Sequence, residues 1–245
     1  MKNIIIFGGT SKIASEIALL HRKNNDNIFL VGRDFDKLVE IENKLLKEKN
    51  KCNVKLKVFD VMSSKSIGDA FEDAIKAFKV INTVIIAHSV MHEFNNKLNL
   101  EKDEINTIDI NVISTIKILN HSIKYLNSGS KVVFLSSVAS VRGRSSNYTY
   151  GASKAFINVY LQGLQNKLFR ENISFLTVNL GPINTAFSEK VGPNFIKADP
   201  KKIAYTIFKE IKFGKKQEIF VPYYWKFIMV LIKNIPNFVF NRLNL

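Results

Sequence analysis

The sequence predicts one α/β domain, a doubly wound parallel sheet of about seven strands with helices on both faces. Three observations carry that expectation. Short β-branched runs alternate with amphipathic helical patterns along the 245 residues. The strand-like runs are apolar throughout rather than alternating in and out, as expected where helices cover both sides of a sheet. No Gly/Ser linker, internal repeat or low-complexity tract divides the chain.

The elements follow in order. "KNIIIF" at 2–7 reads as a doubly buried strand, and "SKIASEIALLHRKN" at 11–24 as an amphipathic helix. "NIFLVG" is a second strand. "DFDKLVEIENKLLKEK" is a second helix capped by Asp34. "VKLKVFD" at 54–60 is a third strand, followed by a helix from about Ser64 to Phe78. "TVIIAH" is a fourth strand and a single long helix is expected over 102–126. "KVVFLSS" at 131–137 is a fifth strand, with a helix running on to about Arg170. "ISFLTVN" at 173–179 is a sixth strand and "EIFV" at 218–221 a candidate seventh.

Composition narrows the function classes. Hydrophobic residues make up 46% of the chain, enough for a sizeable core. The formal net charge is +15, but the lysines are scattered and no base-reading module is recognisable, so nucleic acid is not an expected partner. Cys52 is the only cysteine, which excludes an intrachain disulfide and a thiolate cluster from one chain. His88 and His92 stand four apart without supporting carboxylates. They read as loop or pocket lining, and no metal is expected. The start, "MKNIIIFGG", is too short for a signal peptide and runs directly into structure, so a cytoplasmic location is expected.

In a doubly wound sheet, ligands sit at the carboxyl ends of the strands. The loop after the first strand is "FGGTSKIASEIA". Gly8 and Gly9 permit a tight turn and close backbone approach to a pyrophosphate. The helix N-terminus beyond them offers free N–H groups and a positive dipole end. Thr10 and Ser11 can cap that helix or donate to phosphate. After the second strand stands Arg33, whose forked guanidinium suits the 2′-phosphate of NADP and favours NADP(H) over NAD(H).

Tyr150 and Lys154 are four apart, hence on one helical face. A cation beside a phenol favours the ionised form, which makes Tyr150 a competent proton donor or acceptor. Ser137 ends the fifth strand thirteen residues earlier and could hold a substrate carbonyl beside the phenol. Asn111, in "DINVIST", offers a side-chain amide to backbone or water.

At these residues the chain resembles the short-chain dehydrogenase/reductase family over nearly its whole length. The resemblance rests on "YGASK", Ser137 at the matching separation and Asn111 in "INVIST". It implies a Rossmann fold, an Asn-Ser-Tyr-Lys tetrad of Asn111, Ser137, Tyr150 and Lys154, and dimers or tetramers. It implies that Asp60 and Val61 contact adenine, and that Ile183 and Thr185, in "NLGPINTAF", meet the nicotinamide carboxamide. Gly8, Gly9, Thr10, Ser11, Lys12, Ile13, Ala87, His88 and Gly181 complete the implied cofactor site with Tyr150 and Lys154. Lys154 would bind the nicotinamide ribose and lower the phenol pKa, while Asn111 would organise a water chain. Three departures stand out. Lys12 and Ala14 occupy glycine positions, and "IAHS" replaces "NNAG". Leu180 stands where proline is common.

"FGGTSKIASEIA", "IIAHSVM" and the C-terminal tail together resemble a subgroup allied to decaprenylphosphoryl-2-keto-arabinose reductase. That likeness implies NADPH-dependent reduction of a keto sugar or lipid-linked carbohydrate in cell-surface polysaccharide assembly. A non-catalytic NADP-binding scaffold is the alternative. Residues 1–222 are expected to form the catalytic domain and residues 223–245 an aromatic, basic helical tail. Its longest uncharged stretch, "FIMVLI", is far short of the ~20 apolar residues of a spanning helix. The tail could pack on its own domain, cover a partner subunit or lie at the inner face of the membrane.

Overall fold

Apolar residues at successive positions of a strand point to opposite faces, so an all-apolar strand demands a helical layer on each side. The computed structural model, which describes residues 1–48, 50–92, 100–185, 187 and 196–243, meets that demand. Seven strands run in the spatial order β3-β2-β1-β4-β5-β6-β7: β1 (Asn3–Phe7), β2 (Asn27–Gly32), β3 (Val54–Val58), β4 (Thr83–Ile86), β5 (Lys131–Ser137), β6 (Ser174–Leu180) and β7 (Glu218–Val221). Every neighbouring pair is parallel.

On one face Ile4, Ile6, Ile28, Leu30, Val133 and Val178 meet α1 (Lys12–Lys23), α2 (Phe35–Leu46) and α7 (Pro200–Phe213). On the other, Ile5, Phe7, Phe29, Val31, Val132 and Phe134 meet α3 (Ser64–Phe78), α5 (Ser114–Ile123) and α6 (Tyr148–Lys167). Ile4, Ile6, Ile28 and Leu30 are fully buried, and each such side chain contributes about 1.5–3 kcal/mol. Exposed pairs such as Lys44–Glu40 are screened by solvent and add little. Layer packing, not surface charge, therefore holds the fold.

Helix starts follow capping chemistry. Ser11 accepts from Ala14 N, Asp34 from Lys37 N and Ser63 from Ser66 N, each at 3.1 Å. Asp199 caps α7, with Pro200 at its first turn. The sequence reading did not assign α7, although "DPKK" and the apolar spacing of Ile203, Ala204, Ile207 and Ile211 mark it.

The single helix expected over 102–126 is a correction. It is α4 (Leu100–Ile108), one π-turn (Asp109–Ile113) and α5. A π-turn inserts one residue into the helical repeat, which a smooth apolar pattern does not reveal.

The tail forms α8 (Trp225–Asn234) and α9 (Asn237–Phe240). Trp225 and Met229 are buried with Val138. Arg142 Nη1 donates to the carbonyls of Ile232 and Ile235, both at 2.6 Å, and its guanidinium lies 3.7 Å over the Phe240 ring. Tyr223, Phe227, Leu231 and Phe238 are exposed. Among the described residues no helix is long and apolar enough to cross a membrane.

Candidate active site

The strand order turns back on itself between β1 and β4, and a crevice opens there at the carboxyl ends of the strands. It holds a cavity of about 530 Å³. Gly8, Thr10, Ser11, Lys12, Ile13, Arg33, Val61, Ala87, His88, Ser137, Tyr150, Lys154, Gly181, Ile183 and Thr185 line it. Gly9, Asp60 and Asn111 do not. A Cβ on Gly9 would stand 3.2 Å from Leu30 Cδ2, beneath the loop. The Asp60 carboxylate accepts from Met62 N at 2.8 Å and shapes its own turn.

Asn111 sits in the π-turn, almost fully buried. Its Oδ1 accepts from Val90 N, and its Nδ2 donates to Val90 O, both at 2.8 Å. The amide thus pairs with the backbone just beyond β4 as a neighbouring strand would. Nδ2 also donates to Ser153 Oγ on α6 at 3.1 Å, and Oδ1 accepts from Ser89 Oγ at 3.1 Å. One side chain ties three segments together one remove from the cavity.

Tyr150 and Lys154 project from α6 as the four-residue spacing requires. Ser137 and Ser89 stand beside the Tyr150 hydroxyl and act to lower its pKa. The Lys154 ammonium donates to Leu135 O at 3.1 Å and lies 5.7 Å from the Tyr150 ring centroid. Burial drives both groups toward their neutral forms. Tyr150 is pushed up to about 12, with Ser137 and Ser89 pulling only partly against that. Lys154 is pulled down to about 7. Burial outweighs whatever lowering Lys154 lends the phenol. Desolvation dominates, and Tyr150 holds its proton tightly.

The crevice can be tested for fit to a dinucleotide. Gly8 has a φ of +76°, and a Cβ there would lie 2.4 Å from His88 N, so the loop backbone packs directly on the end of β4. The N-terminal end of α1, with its unpaired N–H groups and positive dipole end, meets the cavity at Ser11, Lys12 and Ile13. Ser114 Oγ donates to Ile110 O at 2.5 Å and so accepts from His88 Nε2 at 2.8 Å. Burial holds His88 neutral, its pKa pulled down to about 3. Its buried Nδ1 is then a bare acceptor without a protein partner, matched to a hydroxyl donor such as a ribose offers. Lys12 Nζ rests on Glu16 at 3.1 Å, and Ala14 is buried in the core. The replaced glycines leave the crevice open, and the residues present fit the cofactor.

A family model described as short chain dehydrogenase matches residues 2–194. The chain belongs to this family. It is similar to an "uncharacterized oxidoreductase" of Mycobacterium tuberculosis, 24% identical over 98% of this chain and 96% of that protein. A Staphylococcus epidermidis relative of the same description is 28% identical over 77% of this chain and 80% of its own length. Among solved structures, a short-chain dehydrogenase/reductase from Mycobacterium ulcerans superposes with a TM-score of 0.82 at 15% identity, covering 89% of this chain and 87% of its own. An alcohol dehydrogenase from Thermococcus sibiricus reaches 0.79 at 18% identity, covering 90% and 95%. These structures share the Rossmann fold. As a short-chain dehydrogenase, the chain is an NAD(P)-dependent oxidoreductase.

Sequence reasoning noted Ser89 only as a departure from "NNAG", yet the structure places it between Tyr150 and Asn111. Position alone, three residues past β4, was its signal. The short-chain dehydrogenase offers a phenol that keeps its proton, hydroxyls that orient it and a cation half-charged near neutrality. Because kcat/KM for the nicotinamide cofactor reports the free enzyme, it is expected to fall by up to about tenfold per pH unit above about 7, where Lys154 loses its proton. Lys154→Arg, whose guanidinium stays charged, should remove that alkaline limb. A profile flat to about pH 9 in the native chain would contradict the assignment.

Proposed function

We propose that this short-chain dehydrogenase reduces a ketone to an alcohol with NADPH, the ketone being carried by a sugar or lipid-linked carbohydrate intermediate of cell-surface polysaccharide assembly. The observation that carries the reductive reading is the buried Tyr150 phenol on the cavity wall beside Ser137 and Ser89, holding its proton at neutral pH. A protonated phenol is a general acid, the role that reduction requires and oxidation does not.

The bound cofactor supplies a hydride. Ser137 Oγ accepts from Ala139 N at 3.1 Å, which orients the hydroxyl and leaves its own proton to donate to a carbonyl oxygen. Tyr150 gives its proton to that oxygen as negative charge develops there. The phenolate left behind is stabilised by the Lys154 charge. A proton from water reaching the crevice restores the phenol.

The preference for NADPH is supported by Arg33, which lies on the cavity rim at the end of β2 and carries a forked donor set suited to a 2′-phosphate. A protein of the same fold from Thermococcus sibiricus was solved with 5-hydroxy-NADP. The carbohydrate reading is supported by the likeness of the glycine loop, "IIAHSVM" and the tail to the keto-arabinose reductase subgroup.

NADPH oxidation against a panel of keto sugars tests the reading. Tyr150→Phe should retain NADPH binding and lose on the order of 10²-fold or more in turnover. Undiminished turnover in that variant would remove the phenol from the chemistry. Arg33→Ala should cost about tenfold in kcat/KM with NADPH and leave NADH use nearly unchanged. Equal losses with both cofactors would overturn the 2′-phosphate role.

A further inference from the structure

The described residues lining the cavity include no carboxylate but four cations: Lys12, Arg33, Lys154 and Arg144. Three are accounted for at the cofactor side or beneath the phenol. Arg144 is not. It lies between β5 and α6, at the Tyr150 end of the crevice. Arg33 follows β2, three strands away in the order β2-β1-β4-β5. That separation is about 14 Å at the usual strand spacing, which puts Arg144 and Arg33 at different parts of the crevice.

Arg144 is poorly satisfied. Among the described residues its Nε is buried without a hydrogen-bond partner, and its Nη2 meets only the Met229 thioether at 3.7 Å. Burial pulls its pKa down, and among the described residues no carboxylate opposes that shift. Its neighbour Arg142 shows that partners are within reach of this loop. That side chain is fully engaged by carbonyls of the tail and by the Asn237 amide. Beside Arg144, Asn147 also lines the cavity and has a buried Oδ1 without a partner. Trp225 Nε1 is buried and unpartnered where it abuts Gly181, another lining residue. A guanidinium whose Nε is buried without a partner costs stability unless a ligand completes it.

We propose that Arg144 is a substrate-recognition residue that binds an oxyanion, carboxylate or phosphate, carried by the carbonyl substrate. The proposal rests on the reductase reading above and narrows its substrate to an anionic ketone. The guanidinium fork would hold the anion bidentately and fix the substrate at the end of the cavity where Tyr150 stands.

Isothermal titration of the full chain saturated with NADP+ tests it without requiring turnover. Saturation keeps phosphate probes off the cofactor site. Three probes separate the sources of charge: dihydroxyacetone phosphate, acetoacetate and neutral dihydroxyacetone. In the native chain at least one anionic probe should bind on the order of tenfold more tightly than the neutral one. Arg144→Met should abolish that advantage and Arg144→Lys should keep part of it, with NADP+ affinity and thermal melting reporting that each variant is folded. Equal binding of all probes, no binding of any, or an anion advantage that survives Arg144→Met would overturn the proposal. Should the reductase reading fail instead, NADPH oxidation would be absent while the Arg144-dependent anion selectivity persisted.

Discussion

The Asn111 amide is the constraint on which the site depends. A parallel sheet leaves the backbone beyond each strand without a neighbour, and β4 ends at Ile86, just where the chain enters the cavity wall at Ala87. Asn111 supplies the missing partner by pairing with both polar groups of Val90. Its remaining contacts go to Ser89 and to Ser153 on α6. Leaving such a buried group unpaired costs about 1–3 kcal/mol. The π-turn has a function in this arrangement, since it carries Asn111 toward the loop between two helices that pack regularly on either side.

Given that frame, burial sets the chemistry. The cavity wall places a phenol and an ammonium where water is excluded, and each moves toward neutrality. The phenol becomes a reluctant acid and so a reservoir for one proton. The ammonium comes within reach of neutral pH, so a bound anion or ribose can decide its charge. With no described carboxylate on the lining, the crevice favours negative charge throughout, from the α1 N-terminus at one end to Arg144 at the other.

The layered fold was legible because the central strands are apolar at nearly every position and most helices are apolar on one stripe. β2, β5 and α3 fall at their sequence-derived bounds for the same reason. Tyr150, Lys154 and Ser137 were legible from spacing, since a helix and a strand end fix where such residues point. What escaped was set by tertiary contact. The π-turn leaves no mark on periodicity, and the role of Ser89 exists only through Tyr150 and Asn111. Arg144 reads as an ordinary loop cation until its lack of partners is seen. The direction of the phenol pKa shift also escaped, because spacing reveals a nearby charge but not how far burial outweighs it.

The most direct measurement is a crystal structure of the chain with NADP+ bound. The account predicts the nicotinamide ring inside the crevice, against Tyr150 and Ser137, with the adenosine phosphate toward Arg33. A dinucleotide bound outside this crevice, or a phenol turned away from the ring, would contradict it.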